Sequence, residues 1–112
     1  AAMNSLLGIE NRPTAVFVAS DVVAFGAMQA IKDNVLKIPD DIAIIGFDDV
    51  SISKYVEPPL TTVQLPAYDL GWKAGELALQ LVDQEEPVRR SQLLATQLII
   101  RESCGAESLQ TS

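Results

Sequence analysis

The residues best placed to do chemistry are two polar pairs, Ser20-Asp21 and Asp48-Asp49, each directly following an apolar run. A carboxylate accepts hydrogen bonds from two hydroxyls at once, which is the chemistry that holds a sugar or another polyol. Ser20 adds a donor and an acceptor. Each position also has a plainer reading. Ser and Asp are good helix N-caps, because their oxygens accept from free backbone N–H groups, so one of Ser20 and Asp21 is expected to cap. Asp48 and Asp49 equally suit the start of a turn. Paired acids at a strand end hold magnesium in some phosphoryl-transfer proteins. That chemistry also calls for a phosphate-binding Lys or a glycine-rich loop, and neither accompanies this pair.

Other chemistries find little to work with. There is no His and only one cysteine, Cys104. Common zinc sites and Ser-His or Cys-His couples all need more, so the expectation is no enzyme, no metal and no cofactor. A single cysteine cannot form an internal disulfide, which fits a reducing cytoplasm. Eight basic against fifteen acidic residues give a net charge of −7. That balance repels a phosphate backbone, and the only adjacent basic pair, Arg89-Arg90, follows Glu85-Glu86. The chain is not expected to hold DNA by itself. The apolar runs are far shorter than the roughly 18–20 residues of a membrane span, and AAMNSLLGIE lacks the basic start of a secretory signal.

The elements that would position the polar pairs are legible. Met3, Leu6 and Leu7 suit one face of a helix, which Pro13 ends. Thr14–Ala19 and Ile42–Phe47 are apolar without alternation, as in a parallel sheet covered by helices on both faces. Between them Val22–Lys32 carries Val23, Ala24, Ala27 and Ile31 on one helical stripe, with Phe25 and Met28 beside it, and Asp33-Asn34 is a plausible stop. A strand–helix–strand unit of this kind implies a right-handed crossover. Ser51–Val56 reads as a short helix or turn ahead of Pro58-Pro59, and Leu60–Val63 as a third strand. The longest helical pattern runs from Tyr68 to Gln84, closed by Glu85-Glu86-Pro87. Leu93–Arg101 is a last strand, and residues 106–112 are expected to be a loose tail. In an open parallel sheet, ligands bind beyond the carboxyl ends of the strands, which is where both polar pairs fall.

Five stretches in this order then carry a resemblance. They are Arg12–Asp21, Ala24-Phe-Gly-Ala27, Ile38–Asp49, Pro58–Val63 and Ile100-Arg-Glu-Ser-Cys-Gly105. Together they resemble the lactose/galactose repressor (LacI/GalR) family at its own spacing. The resemblance implies an α/β fold, a parallel sheet with flanking helices, that is a fragment of the two-lobed periplasmic-binding-protein-like architecture. Residues 1–105 would be the C-terminal fragment of an effector-binding and dimerisation domain, with the helix at 67–86 belonging to the other lobe.

By the same resemblance, Ser20, Asp21 and Asp48 are the candidate effector-binding residues, Ser20 standing where many relatives place an Asn. Phe25, Met28 and Tyr55 fall in the family's dimer interface. Gln64-Leu65-Pro66 departs from the family's usual Val-x-Gln-Pro order. The implied function is sensing of a sugar-type effector by a cytoplasmic, homodimeric transcription repressor, with DNA contacted only through a domain absent from this chain. A secreted sugar-binding protein of a transport system shares the architecture and is the alternative.

Overall fold

The computed structural model describes residues 1–83 and 91–106. The chain divides into two compact units, one from residues 1–64 together with the segment that starts at Gln97, the other spanning Leu65–Thr96.

The first unit is built on a four-stranded sheet in the order β1-β2-β3-β4, from β1 (Ala15–Phe17), β2 (Ala43–Asp48), β3 (Thr61–Gln64) and β4 (Gln97–Ile99). β1, β2 and β3 run parallel, as the unalternated apolar runs of the first two predict, whereas β4 pairs antiparallel to β3. The sheet is therefore mixed, and the last strand is shorter than the Leu93–Arg101 run. Of that run, Leu93 is fully exposed and only three residues pair with β3.

Two helices, α1 (Ala2–Leu7) and α2 (Asp21–Asp33), cover the sheet face that presents Ile42 and Ile44. Ala24, Met28 and Ile31 of α2 meet Met3 of α1, these two isoleucines and Leu60 in the core. Ile31, Ile42, Ile44 and Leu60 are fully buried, each contributing about 1.5–3 kcal/mol relative to exposure. The opposite face differs from the expected two-sided cover. Within this unit Phe17 and Leu98 stay more than half exposed, and Ile45, Phe47 and Val63 are only half-buried.

The C-terminal end of α2 is a Schellman turn: Leu36 N–H donates to Ile31 C=O (3.2 Å) and Val35 N–H to Lys32 C=O (2.9 Å). Its left-handed position is held by Val35, at φ 59°. A β-branched residue fits poorly there.

Beyond β2, a short 3-10 helix (Ser51–Lys54) is tied back by Leu60 N–H donating to Ser53 C=O (2.9 Å). The segment after β4 is stitched under the sheet by buried Ser103. Its hydroxyl donates to Ile44 C=O (2.7 Å) and accepts from Thr61 N–H (2.8 Å), while its backbone N–H donates to Pro59 C=O (3.0 Å).

The second unit contains α3 (Ala67–Asp83), on which no residue is buried. Leu70, Ala74 and Leu77 line a shallow groove with Ser91 and Leu94. Trp72 Nε1 donates to Glu76 Oε1 (3.0 Å), and Tyr68 stacks on Trp72 with ring centroids 6.4 Å apart. The expected closure of this helix at residues 85–87 and most of the expected tail, 107–112, lie outside the described residues.

Candidate ligand-binding site

β1 and β2 are in register at Phe17 and Ile45. Ser20 and Asp48 each stand three residues beyond that pair, so both reach the carboxyl end of the parallel strands. The crossover helix α2 starts there as well. Ser20 occupies its N-cap position in extended geometry, and its C=O accepts from Ala24 N–H (2.8 Å). The expected capping bond is not made, because no side chain caps this helix. The half-buried Ser20 hydroxyl thus remains available at the rim.

Asp48 is exposed and ends β2 with φ 123°, and Asp49 follows with φ 59°. Two consecutive non-glycine residues with positive φ are costly. Such strain concentrates where a side chain must be aimed in a fixed direction.

Asp21 is placed differently from its two candidate partners. It is fully buried, and both carboxylate oxygens are occupied by the protein. Oδ2 accepts from the Ser53 hydroxyl (2.6 Å) and Val50 N–H (3.0 Å), and Oδ1 from the Thr62 hydroxyl (2.6 Å). One carboxylate thereby joins the start of α2, the segment after Asp48 and strand β3. A buried charge is tolerated only when so paired. The space it occupies exists because Gly46, the register partner of Thr62, has no side chain. Ser53 and Thr62 were not among the sequence candidates. The usable signal was a Thr pair inside an otherwise apolar strand, which is unfavourable unless its hydroxyls are satisfied.

Asp49 also faces protein groups. Its Oδ1 lies 2.9 Å from Arg101 Nη2, and its Oδ2 accepts from Gln64 Nε2 (2.9 Å). The two members of this acidic pair are therefore placed differently: Asp49 turns inward onto protein groups and Asp48 stays exposed.

The three expected interface residues divide similarly. Met28 is 3% exposed and packs in the core, where it also lines a shallow depression beside Phe25. Phe25 is half-buried and lines a shallow depression with Gln29, Lys32 and Val56. Tyr55 is 76% exposed, with Lys54 Nζ 5.4 Å from its ring centroid. Lys32 Nζ donates to Glu57 C=O, tying α2 to the turn that follows Tyr55. No group of three or more metal-ligating side chains exists among the described residues, and none of their helices is long and apolar enough to cross a membrane.

The periplasmic binding protein-like domain profile matches residues 1–104. The chain belongs to that family. HTH-type transcriptional repressor CytR of Escherichia coli is 42% identical over 105 residues, covering 94% of this chain and 31% of that protein. The chain thus spans about a third of the length of such relatives. Among solved structures, a LacI family transcriptional regulator from Enterococcus faecalis with bound ribose superposes with a TM-score of 0.82 at 37% identity, over 91% of this chain and 38% of that one. The lac repressor dimer bound to operator and the anti-inducer ONPF gives a TM-score of 0.83 at 36% identity, over 92% of this chain and 31% of that one. The resemblance to LacI/GalR repressors carried by the five sequence stretches is borne out, as is the periplasmic-binding-protein-like fold. These relatives are transcription regulators, and the reading as a secreted transport protein has no support among them.

Proposed function

We propose that this chain is the C-terminal part of the effector-sensing and dimer-forming domain of a bacterial transcription repressor acting in the cytoplasm. The observation that carries the reading is the likeness to a repressor at 42% identity over 94% of the chain. The rim geometry agrees with it: Ser20 and Asp48 stand together at the strand ends, one hydroxyl and one exposed carboxylate. That pair matches the hydroxyls of a sugar or sugar-containing metabolite, and the ribose held by a structural neighbour supports the same class. Asp21 stands behind them and fixes the rim instead of touching ligand. DNA contact belongs to another part of a longer protein, in keeping with the −7 charge here. Tyr55 and Phe25 face a second copy, with Met28 packed behind them. No catalytic step is required.

A gel-shift titration of the full-length protein on its operator, with pentoses, hexoses and nucleosides, tests the reading. One class of metabolite should change operator affinity at least tenfold. If none does, the protein is not a sensor.

A further inference from the structure

The polypeptide leaves the first unit after Gln64 and re-enters it at Gln97, and these two residues are register partners at the end of the β3–β4 pair. The carboxylate of Asp49 takes hold of both passages. Its Oδ2 accepts from the Gln64 side chain on the outgoing strand, and its Oδ1 pairs with Arg101 just past the returning strand, each at 2.9 Å. Arg101 is itself fixed twice more: its Nη1 donates to Leu60 C=O (2.9 Å) and its backbone N–H to the Thr61 hydroxyl (2.8 Å). The Asp49 and Arg101 side chains are only 12% and 17% exposed. Such shielding keeps an ion pair from being lost to solvent screening, as an exposed pair is.

We infer that Asp49 is a positioning residue that clamps the outgoing and returning strands to the loop bearing Asp48. Asp48 and Asp49 are consecutive and both have positive φ, so little slack separates the open carboxylate from the clamped one. A ligand that draws on Asp48 therefore acts on a loop already fastened to both crossing strands, and the three pieces respond together. The left-handed backbone explains the residue type as well. Asp tolerates that conformation better than Glu, whose longer side chain has no local bond to offset it.

This inference rests on the sensing role proposed above for its purpose, although the clamp itself can be judged without ligand. Amide hydrogen exchange on the full-length protein would compare Asp49→Asn, Arg101→Gln and the double variant; Asn keeps the backbone tolerance and one acceptor. Exchange at Val63, Gln64 and residues 97–99 should rise about tenfold in each single variant, with the double variant no worse than either. β1 amides should be unchanged. Unaltered protection of the crossing strands would overturn the clamp. So would a uniform rise across the unit that follows a fall in Tm, or strictly additive effects in the double variant. Ribose, titrated by calorimetry into the same proteins, is a separate arm. A parent that binds ribose, with Asp49→Asn binding it comparably but no longer releasing operator, supports coupling through the clamp. Asp49→Asn that still responds fully overturns that coupling. A parent that ignores ribose counts against the ribose-like ligand class, while exchange still decides the clamp.

Discussion

Asp21 and Gly46 compete for one piece of space. A Cβ on Gly46 would fall inside contact distance of Asp21 Oδ1 and 3.0 Å from Leu60 Cδ2, so the glycine is what admits the carboxylate to the sheet. Neither neighbour can give way easily, since Asp21 and Leu60 are both fully buried. Gly46→Ala should therefore cost about 2–3 kcal/mol, the upper range for overpacking a core. Denaturant unfolding of the full-length protein measures it, and a change below about 0.5 kcal/mol would contradict this packing.

Removing the carboxylate is a different insult. Asp21→Ala strands two buried hydroxyls and one part-buried backbone N–H, each buried donor left unpaired costing about 1–3 kcal/mol. A total of about 3–5 kcal/mol is expected, with Asp21→Asn retaining part of it. The triple variant Asp21→Ala/Ser53→Ala/Thr62→Val should recover stability relative to Asp21→Ala alone, because the stranded hydroxyls are gone.

Asp48 should behave in the opposite way. It is exposed, so Asp48→Asn ought to change stability by less than about 0.5 kcal/mol. A bound polyol would lose charge-assisted hydrogen bonds of about 1.5–3 kcal/mol, roughly ten- to a hundredfold in affinity. Paired melting and binding measurements separate the two effects.

Val35 offers a gain. It is 90% exposed at φ 59°, so its side chain contributes no packing while its backbone is strained. Val35→Gly or Val35→Asn should stabilise by about 0.5–1 kcal/mol. A lower midpoint for both would show that the helix end is not strained.

The half-covered sheet face predicts association. Phe17 lies on edge strand β1, beside a groove formed with α1 and α2, and Leu98 is exposed on β4. Exposed edges and apolar patches favour pairing. The isolated 112-residue chain should sediment as dimers or larger species, and Phe17→Glu with Leu98→Glu should shift it towards monomer.

The sequence carried the strands and helices where periodicity was unambiguous. Apolar runs without alternation marked β1 and β2 as parallel, and Pro58-Pro59 marked the loop before β3. The antiparallel return of β4 could not be read, because its direction depends on where the intervening unit sends the chain. At the site, residue type located the acidic pairs but not their division of labour. Asp21 and Asp49 turn inward while Asp48 stays open, and the difference comes from Ser53, Thr62 and Arg101, partners 32 to 52 residues away in sequence. No local pattern reports pairing at that range. Met28 is drawn into the core with Met3 of α1 and Ile31, a depth of burial that its helical stripe alone does not report.

The sharing of one buried carboxylate among α2, Ser53 and Thr62 also orders the protein's assembly. A ribosome delivers the strand–helix–strand segment first, with Asp21 already at the base of its helix. Closing the sheet over that charge before residue 62 has emerged would leave one carboxylate oxygen without its hydroxyl in a dry interior. The early segment is then expected to stay loosely packed and hydrated until the third strand brings its hydroxyl. A polar group in the middle of the core thus delays collapse until the right neighbour is present.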